Sequence, residues 1–187
     1  KALALLPDVP AHRTANVADR DYMLAALGNG WTSIGQPTRS RTTGAPIIPL
    51  SAPIFDRAGR VVGAVVGIID LAKTNFFDTV TNDHNGLAGG YLIIAPQHGL
   101  IVTGTDKART MAPMPPPGVN SNHDRFVAGY EGHGIALNSR GVEEIAAARQ
   151  IPAAGWFLVG TRPTAEVLAP VRVTQQRVLW AALLLSL

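Results

Sequence analysis

The most conspicuous chemical group in this sequence is the carboxylate of Asp70, which directly follows an uncharged apolar run. The run, Val61–Ile69, contains only Val, Ile, Gly and Ala. Its β-branched content predicts a buried strand rather than a helix. An acid where such a strand ends is either the N-cap of a following helix or a contact for a bound ligand, and both interpretations are open at this point.

The other residue types that could do chemistry lack the patterns that chemistry requires. The five histidines contain no HExxH pattern and no pair at ligand spacing. Ser51 and Ser139 lie outside any GxSxG context, and Glu131, in the glycine-rich segment Gly129–Gly134, indicates a turn rather than a general base. We therefore expect no catalytic residue, no metal site and no cofactor.

The composition indicates a folded protein and excludes several functional classes. With 187 residues, 47% of them apolar and 16% charged, the chain can form one domain or two small ones around a hydrophobic core. The net charge of +3 is small, and no aromatic residues interleave with basic runs, so nucleic-acid binding is unsupported. The absence of cysteine excludes disulfides, thiolate metal sites and cysteine nucleophiles.

Asp70 ends a predicted hairpin. Ile47–Phe55 forms the first strand, and Arg60–Ile69 the second. Asp56–Gly59 has Asp first and Gly last, as a type I turn prefers. The apolar spacing of Leu71–Thr81 predicts a short amphipathic helix, for which Asp70 is a possible N-cap.

A helix is also predicted before the hairpin, with Asp19 as its N-cap and Gly28 as its end. After the hairpin, Tyr91–Ala95 and Leu100–Thr103 predict a second hairpin, and 155–160 a last strand. The chain therefore consists of two units in sequence, each with small antiparallel sheets. The lack of βαβ repeats argues against a doubly wound sheet and predicts an α+β fold.

The C-terminal residues Val178–Leu187 are apolar to the last position and follow Arg172 and Arg177. Ten such residues are too few to span a bilayer. We interpret them as the start of a truncated transmembrane helix with Trp180 near the interface. The alternative is an amphipathic helix that packs on the core.

An ordered set of motifs resembles the double Cache domain, a tandem PAS-like sensor. In the first half these motifs are Asp19–Tyr22, Thr43–Ile47, Ala52–Asp56, Gly59–Gly63 and Ile69–Leu71. In the second half they are Gly89–Leu92, Gly129–Gly132, Asn138–Gly141, Gly155–Phe157 and Pro163–Glu166. The second set is most similar to the extracytoplasmic sensors of bacterial membrane-bound diguanylate cyclases. No single motif is specific, but their order along nearly the whole chain is.

The resemblance implies two PAS-like modules with antiparallel sheets in tandem. The membrane-distal module would span residues 1–88 and the membrane-proximal module 89–165. Residues 166–187 would form a juxtamembrane helix and the start of the truncated transmembrane segment. The output domain, which we expect to be a diguanylate cyclase, would lie beyond Leu187.

The resemblance also implies a ligand site in the distal module. Arg20 matches the family arginine that holds a ligand carboxylate, Tyr22 matches a pocket aromatic, and Asp70 matches the acid that receives a ligand ammonium. Arg41 and Thr43, on the loop before the hairpin, could add anion contacts. The plainer alternatives are a surface ion pair of Arg20 with Asp19 or Asp21, a core position for Tyr22, and solvated charges on the loop, where Arg39 also lies.

The chain departs from the family pattern of amino-acid binders in two places. Those members carry a Trp-Tyr pair where this chain has Tyr22-Met23, and a Tyr where it reads Ile34–Pro37. A small organic acid is therefore better supported than an amino acid.

We expect a non-enzymatic extracytoplasmic (periplasmic) sensor at the inner membrane, which is a homodimer and contacts the membrane through its C-terminal helix. The alternatives are a sensor of a histidine kinase or chemoreceptor, and a structural dimerisation module without ligand.

Overall fold

The computed structural model describes residues 16–81, 89–138, 140–169, 174, 175 and 177. The fold is α+β with antiparallel sheets, as predicted. The chain divides into two compact units. Unit 1 comprises Lys1–Thr79 with Lys107–Ala112, and unit 2 comprises Val80–Asp106 with Pro113–Leu187.

Unit 1 contains a four-stranded antiparallel sheet whose central strand is β3. Strands β1 and β2 pair with one side of β3, and β4 pairs with the other. Two helices belong to this part of the chain. The elements in order are α1 (Asp21–Gly28), β1 (Ser33–Ile34), β2 (Thr38–Arg39), β3 (Pro46–Phe55), β4 (Val61–Asp70) and α2 (Phe76–Thr81).

The β3–β4 hairpin is confirmed, including its turn. The Asp56 carboxylate accepts hydrogen bonds from the backbone N–H groups of Ala58 and Arg60, both at 2.9 Å. Gly59 adopts a φ of +77°, which a residue with a side chain rarely adopts. The two turn positions that the sequence marked therefore form the turn.

Strand β3 is central although it contains Pro49 and Pro53. The Pro49 carbonyl accepts a hydrogen bond from Gly35 N–H at 2.8 Å, so the Pro49 nitrogen also faces the side of β3 on which β1 and β2 lie. Pro49 falls between the β1 partners, at Leu50 and Ser51, and the β2 partners, at Pro46 and Ile47. The missing N–H therefore removes no hydrogen bond from the sheet.

The prediction that β4 is buried is wrong. Val62, Val65 and Ile68 are 63%, 60% and 51% exposed. Among the described residues β4 pairs with β3 alone, so it is an edge strand. The composition of a strand indicates that it can be buried, whereas its place in the sheet decides whether it is.

Unit 2 contains a five-stranded antiparallel sheet in the order β6-β5-β9-β8-β7. Helix α3 packs on it through Phe126, which is 2% exposed and lies beside the fully buried Phe157, with ring centroids 6.5 Å apart. The elements are β5 (Gly90–Ala95), β6 (Leu100–Gly104), α3 (Ser121–Val127), β7 (Gly132–Leu137), β8 (Glu143–Ile151), β9 (Trp156–Pro163) and α4 (Thr164–Val167).

The predicted hairpin of unit 2 is present as β5–β6, and the predicted last strand is present as β9. The β7–β8 pair was not predicted from the sequence. The predicted transmembrane segment, Val178–Leu187, lies outside the described residues. Within the described ranges no helix is both long and apolar enough to cross a bilayer.

Candidate functional site

A row of three residues crosses the sheet of unit 1. Thr38 on β2 pairs with Ile47 on β3, and Ile47 pairs with Asp70 at the end of β4. Directly paired residues place their side chains on the same face of a sheet. Adjacent strands lie about 4.8 Å apart, so Thr38 and Asp70 are roughly 10 Å apart across Ile47.

Helix α1 lies over this face of the sheet. The Ser51 hydroxyl donates to the Tyr22 carbonyl of α1 at 2.6 Å, and Ser51 shares a face of β3 with Ile47. At Gly35, an added Cβ would lie 2.8 Å from Pro49 and 3.0 Å from Tyr22. The absence of a side chain at Gly35 therefore lets Tyr22 pack against the sheet.

Arg20 immediately precedes α1 and reaches the first residue of the row. Its guanidinium donates to the Thr38 hydroxyl at 3.0 Å and to the Arg39 carbonyl at 3.3 Å. Neither acceptor carries a charge. Within the described part of the chain no carboxylate pairs with Arg20, so its positive charge is uncompensated by a salt bridge.

The alternative ion pairs of Arg20 are absent because both neighbouring carboxylates have other partners. Asp21 accepts a hydrogen bond from Gln36 N–H at 2.8 Å. Asp19 accepts two from Arg41, at 2.7 and 2.6 Å. The prediction that Asp19 caps α1 is also wrong: the helix begins at Asp21, and Arg20 is the N-cap residue, without a side-chain capping bond.

Arg41 and Asp19 form a two-pronged ion pair. The same Arg41 nitrogen that contacts Asp19 Oδ1 also donates to the Asn16 carbonyl, at 2.6 Å. The hydrogen bond from Arg41 lowers the pKa of Asp19 from 3.8 to about 2. Arg41 therefore lies near the predicted site, but the Asp19 carboxylate neutralises its charge.

Tyr22 is a core residue beside the charged groups. It is 4% exposed, and burial raises the pKa of its phenol. The charges of Arg20 and Asp21, and those of Arg41 and Asp19, also act on this pKa. The phenol therefore lies within electrostatic range of all four, and both interpretations of Tyr22 are compatible with its position.

Asp70 is not a helix N-cap, which corrects one of its two predicted roles. Helix α2 begins at Phe76, and Asn75 caps it by accepting a hydrogen bond from Phe77 N–H at 3.0 Å. Asp70 instead accepts one from Ala72 N–H at 3.0 Å, and Lys73 Nζ lies 3.7 Å from its other oxygen. Its side chain keeps 30% exposure, so it is accessible at the end of the row.

Thr43 is not brought into this group. It lies exposed in the turn between β2 and β3, and its hydroxyl accepts a hydrogen bond from Ala45 N–H at 3.3 Å. Conversely, sequence reasoning missed Thr38, which holds the Arg20 guanidinium. The contact joins residues 18 positions apart, and no local pattern indicates it.

Unit 2 contains an open depression of about 380 Å³. Glu131 and Arg149 form an ion pair at its margin, and Glu131 also accepts a hydrogen bond from Gln150 N–H at 2.9 Å. The hydrogen bond from Gln150 N–H is the largest cause of the lowered pKa of Glu131, and the bond from Arg149 lowers this pKa further. The lining residues are Glu131, Gly132, His133, Ala147, Ala148, Arg149, Leu158 and Gly160.

Several solved structures share this fold. The periplasmic sensory domain of the Campylobacter jejuni chemoreceptor Tlp1 aligns with a TM-score of 0.63 at 19% identity, covering 82% of this chain and 58% of its own. The ligand-binding domain of the Pseudomonas aeruginosa PAO1 amino acid chemoreceptor PctB, in complex with L-Gln, aligns at 0.62 and 19% identity, covering 94% and 69%. The extracellular domain of the putative histidine kinase rpHK1S-Z16 aligns at 0.60 and 18% identity, covering 82% and 63%.

The chain therefore spans 58 to 69% of the length of these three structures. At these identities the similarity shows the shared fold. No curated protein matches the sequence. The family model of the Cache domain matches residues 3–171, and the chain therefore belongs to the Cache domain family of sensors.

Proposed function

We propose that this chain is the extracytoplasmic sensor domain of a membrane-bound signalling protein, and that unit 1 binds a small organic acid or amino acid. Arg20 would hold the ligand carboxylate and Asp70 a ligand ammonium, where one is present. Tyr22 would lie beside the ligand. Arg41 and Thr43 were predicted to add anion contacts, and the proposal omits them because their polar groups are engaged elsewhere.

The observation that carries this proposal is the Arg20 guanidinium, which pairs with no carboxylate of the described residues. A partly buried cation that lacks a carboxylate partner favours an anion, and a guanidinium can bind both oxygens of a carboxylate at once. Asp70 lies at the other end of the row that Arg20 contacts. The row thus supplies a positive and a negative end on the face that α1 covers, an arrangement suited to a compact zwitterion or a carboxylic acid.

The relatives support the same ligand class. The PctB domain was solved with L-Gln and with L-Arg, and the CtaA chemoreceptor domain of Pseudomonas fluorescens with L-isoleucine and with L-alanine. The described relatives are chemoreceptors and histidine kinases. A chemoreceptor output therefore has at least as much support as the diguanylate cyclase expected from sequence. Membrane attachment and a homodimer stay predictions.

A thermal-shift and calorimetry screen would test the proposal with L-alanine, L-glutamine, L-isoleucine, acetate and succinate as probes. We expect at least one probe to raise the melting temperature. The Arg20→Ala variant should weaken binding of that probe by about 2–4 kcal/mol, roughly 30- to 1,000-fold, because it removes a charge-assisted pair of hydrogen bonds.

Arg149→Ala is the matched control, since it removes an arginine from the depression of unit 2. It should leave the affinity of the probe unchanged. Equal losses of affinity in both variants, or an absence of binding by every probe, would count against a site at Arg20.

A further inference from the structure

Arg41 is a second cation near Arg20. The two terminal nitrogens of its guanidinium both donate hydrogen bonds to Asp19. One nitrogen donates to Asn16 O and Asp19 Oδ1, and the other donates to Asp19 Oδ2. Three of the five guanidinium N–H donors are engaged in this way, and the Asp19 carboxylate neutralises the Arg41 charge. What Arg41 lacks for another carboxylate is therefore a net charge rather than a donor.

Arg41 is nevertheless close to the proposed site. It pairs with Asp19, which directly precedes Arg20 in the chain, and the charges of both arginines act on the pKa of the Tyr22 phenol. The charges of Arg20 and Arg41 also both act on Asp19. Two guanidiniums therefore lie within electrostatic range of one buried ring, and a carboxylate compensates one of them.

We propose that Asp19 sets the charge of the ligand that unit 1 accepts. It holds Arg41 in an ion pair, so that of Arg20 and Arg41 only Arg20 lacks a carboxylate partner among the described residues. This inference rests on the proposed function of that site. It assigns to the site ligands with one carboxylate, such as a monocarboxylic acid or a neutral amino acid. A second ligand carboxylate that reached Arg41 would compete with Asp19 for its charge.

The charge balance explains the direction of this preference. Removing the Asp19 charge leaves Arg41 beside Arg20 with no carboxylate of its own, which creates a site for two negative charges. A released Arg41 would attract a second negative charge of the ligand, and its attraction adds to that of Arg20. The affinity for a dicarboxylate should therefore rise on the order of tenfold relative to the matching monocarboxylate.

Two probe pairs that each differ by one carboxylate test this preference: acetate with succinate, and L-alanine with L-aspartate. Calorimetry on the wild type should show the monocarboxylate of each pair bound more tightly. In Asp19→Asn the ratio of the two affinities should shift roughly tenfold toward the dicarboxylate.

Two further variants distinguish the loss of the Asp19–Arg41 ion pair from a general change in the local electrostatic potential. Asp21→Asn removes a neighbouring charge that does not pair with Arg41, and should shift the ratio much less than Asp19→Asn. The double variant Asp19→Asn with Arg41→Gln should restore the wild-type ratio. An unchanged ratio in Asp19→Asn, or an equal shift in Asp21→Asn, would overturn the inference.

A measurement without ligand separates this inference from the proposed function. Phenylglyoxal modifies accessible arginines, and mass spectrometry of the digested protein reports each one. Asp19→Asn should accelerate modification of Arg41 several-fold, whereas Asp21→Asn should not. Accelerated modification in a protein that binds no probe would refute the proposed ligand site and support the pairing role of Asp19. Unaccelerated modification would refute the pairing role itself.

Discussion

The two units each contain an arginine–carboxylate ion pair, and they differ in what lies beside it. In unit 1 the Asp19–Arg41 pair is accompanied by Arg20, whose acceptors are uncharged. In unit 2 the Glu131–Arg149 pair borders an open depression, and 79% of the Arg149 side chain is exposed. Among the described residues Arg20 has no carboxylate partner, whereas Arg149 has one, and this difference is why the proposed ligand site is in unit 1 rather than at the depression of unit 2.

The largest expected effect comes from Gly35→Ala, which would disturb unit 1 alone. The new Cβ would lie 2.8 Å from the Pro49 ring and 3.0 Å from Tyr22. Such overpacking should lower the free energy of unfolding by about 1–3 kcal/mol and displace Tyr22, so that affinity for the best probe also falls. Urea denaturation and calorimetry measure the two quantities.

Gly67→Ala is the control for this substitution, since nothing lies within 4 Å of its added Cβ. It should change neither quantity appreciably. A Gly35→Ala protein with normal stability and normal probe binding would show that the contact between Tyr22 and the sheet is dispensable.

A smaller effect is expected from Asn75→Ala, which tests the reassigned helix cap. Asn75 accepts a hydrogen bond from Phe77 N–H, and its own N–H donates to Asp78. Loss of the cap should lower the free energy of unfolding by roughly 1 kcal/mol. Urea denaturation would measure the loss, and a variant as stable as the wild type would return the capping role to Asp70.

The smallest effect is the acid response of the two ion pairs. Asp19 has a pKa of about 2 in the folded chain against an ordinary 3.8. Because the folded pKa is the lower one, the stabilisation is complete above the ordinary value and is lost as the pH falls through about 2. The pKa of Glu131 is lowered as well, so its contribution is lost in the same direction.

Melting temperatures of the wild type, Asp19→Asn and Glu131→Gln between about pH 5 and pH 2 would measure these contributions. The difference between wild type and each variant should be small, because both pairs are exposed, and should shrink on acidification. A difference that grows as the pH falls would contradict the ion pairs described for the two units.

Local sequence signals predicted the parts of the fold that depend on neighbours along the chain. The turn at Asp56–Gly59 follows from residues whose backbone preferences are strong. Helix α1 also ends at Gly28 as predicted, although Gly28 is helical and the left-handed backbone conformation occurs at Gly30. The exposure of β4 did not follow, because burial depends on which strands pair with its outer edge. The predicted helix caps at Asp19 and Asp70 are wrong because each carboxylate has another partner. Asp19 pairs with Arg41, and Asp70 accepts a hydrogen bond from the N–H of Ala72 in a turn.

The candidate site was predicted in part. The family resemblance identified Arg20 and Asp70 as candidate ligand contacts. In the structure Asp70 is the last residue of the row Thr38–Ile47–Asp70, whose first residue contacts Arg20. Whether they bind a ligand stays a prediction. Arg41 could not be separated from Arg20 by sequence, since the two differ only in the partner that folding brings to them.

The prolines of β3 have a consequence for the accuracy of the site. A shift of β1 by two residues would bring Ser33 opposite Pro49, where no N–H is available to bond. A shift by one residue would turn every side chain to the opposite face. Pro49 therefore disfavours a shift of β1 along β3, and β1 leads within a few residues into β2, where Thr38 contacts Arg20.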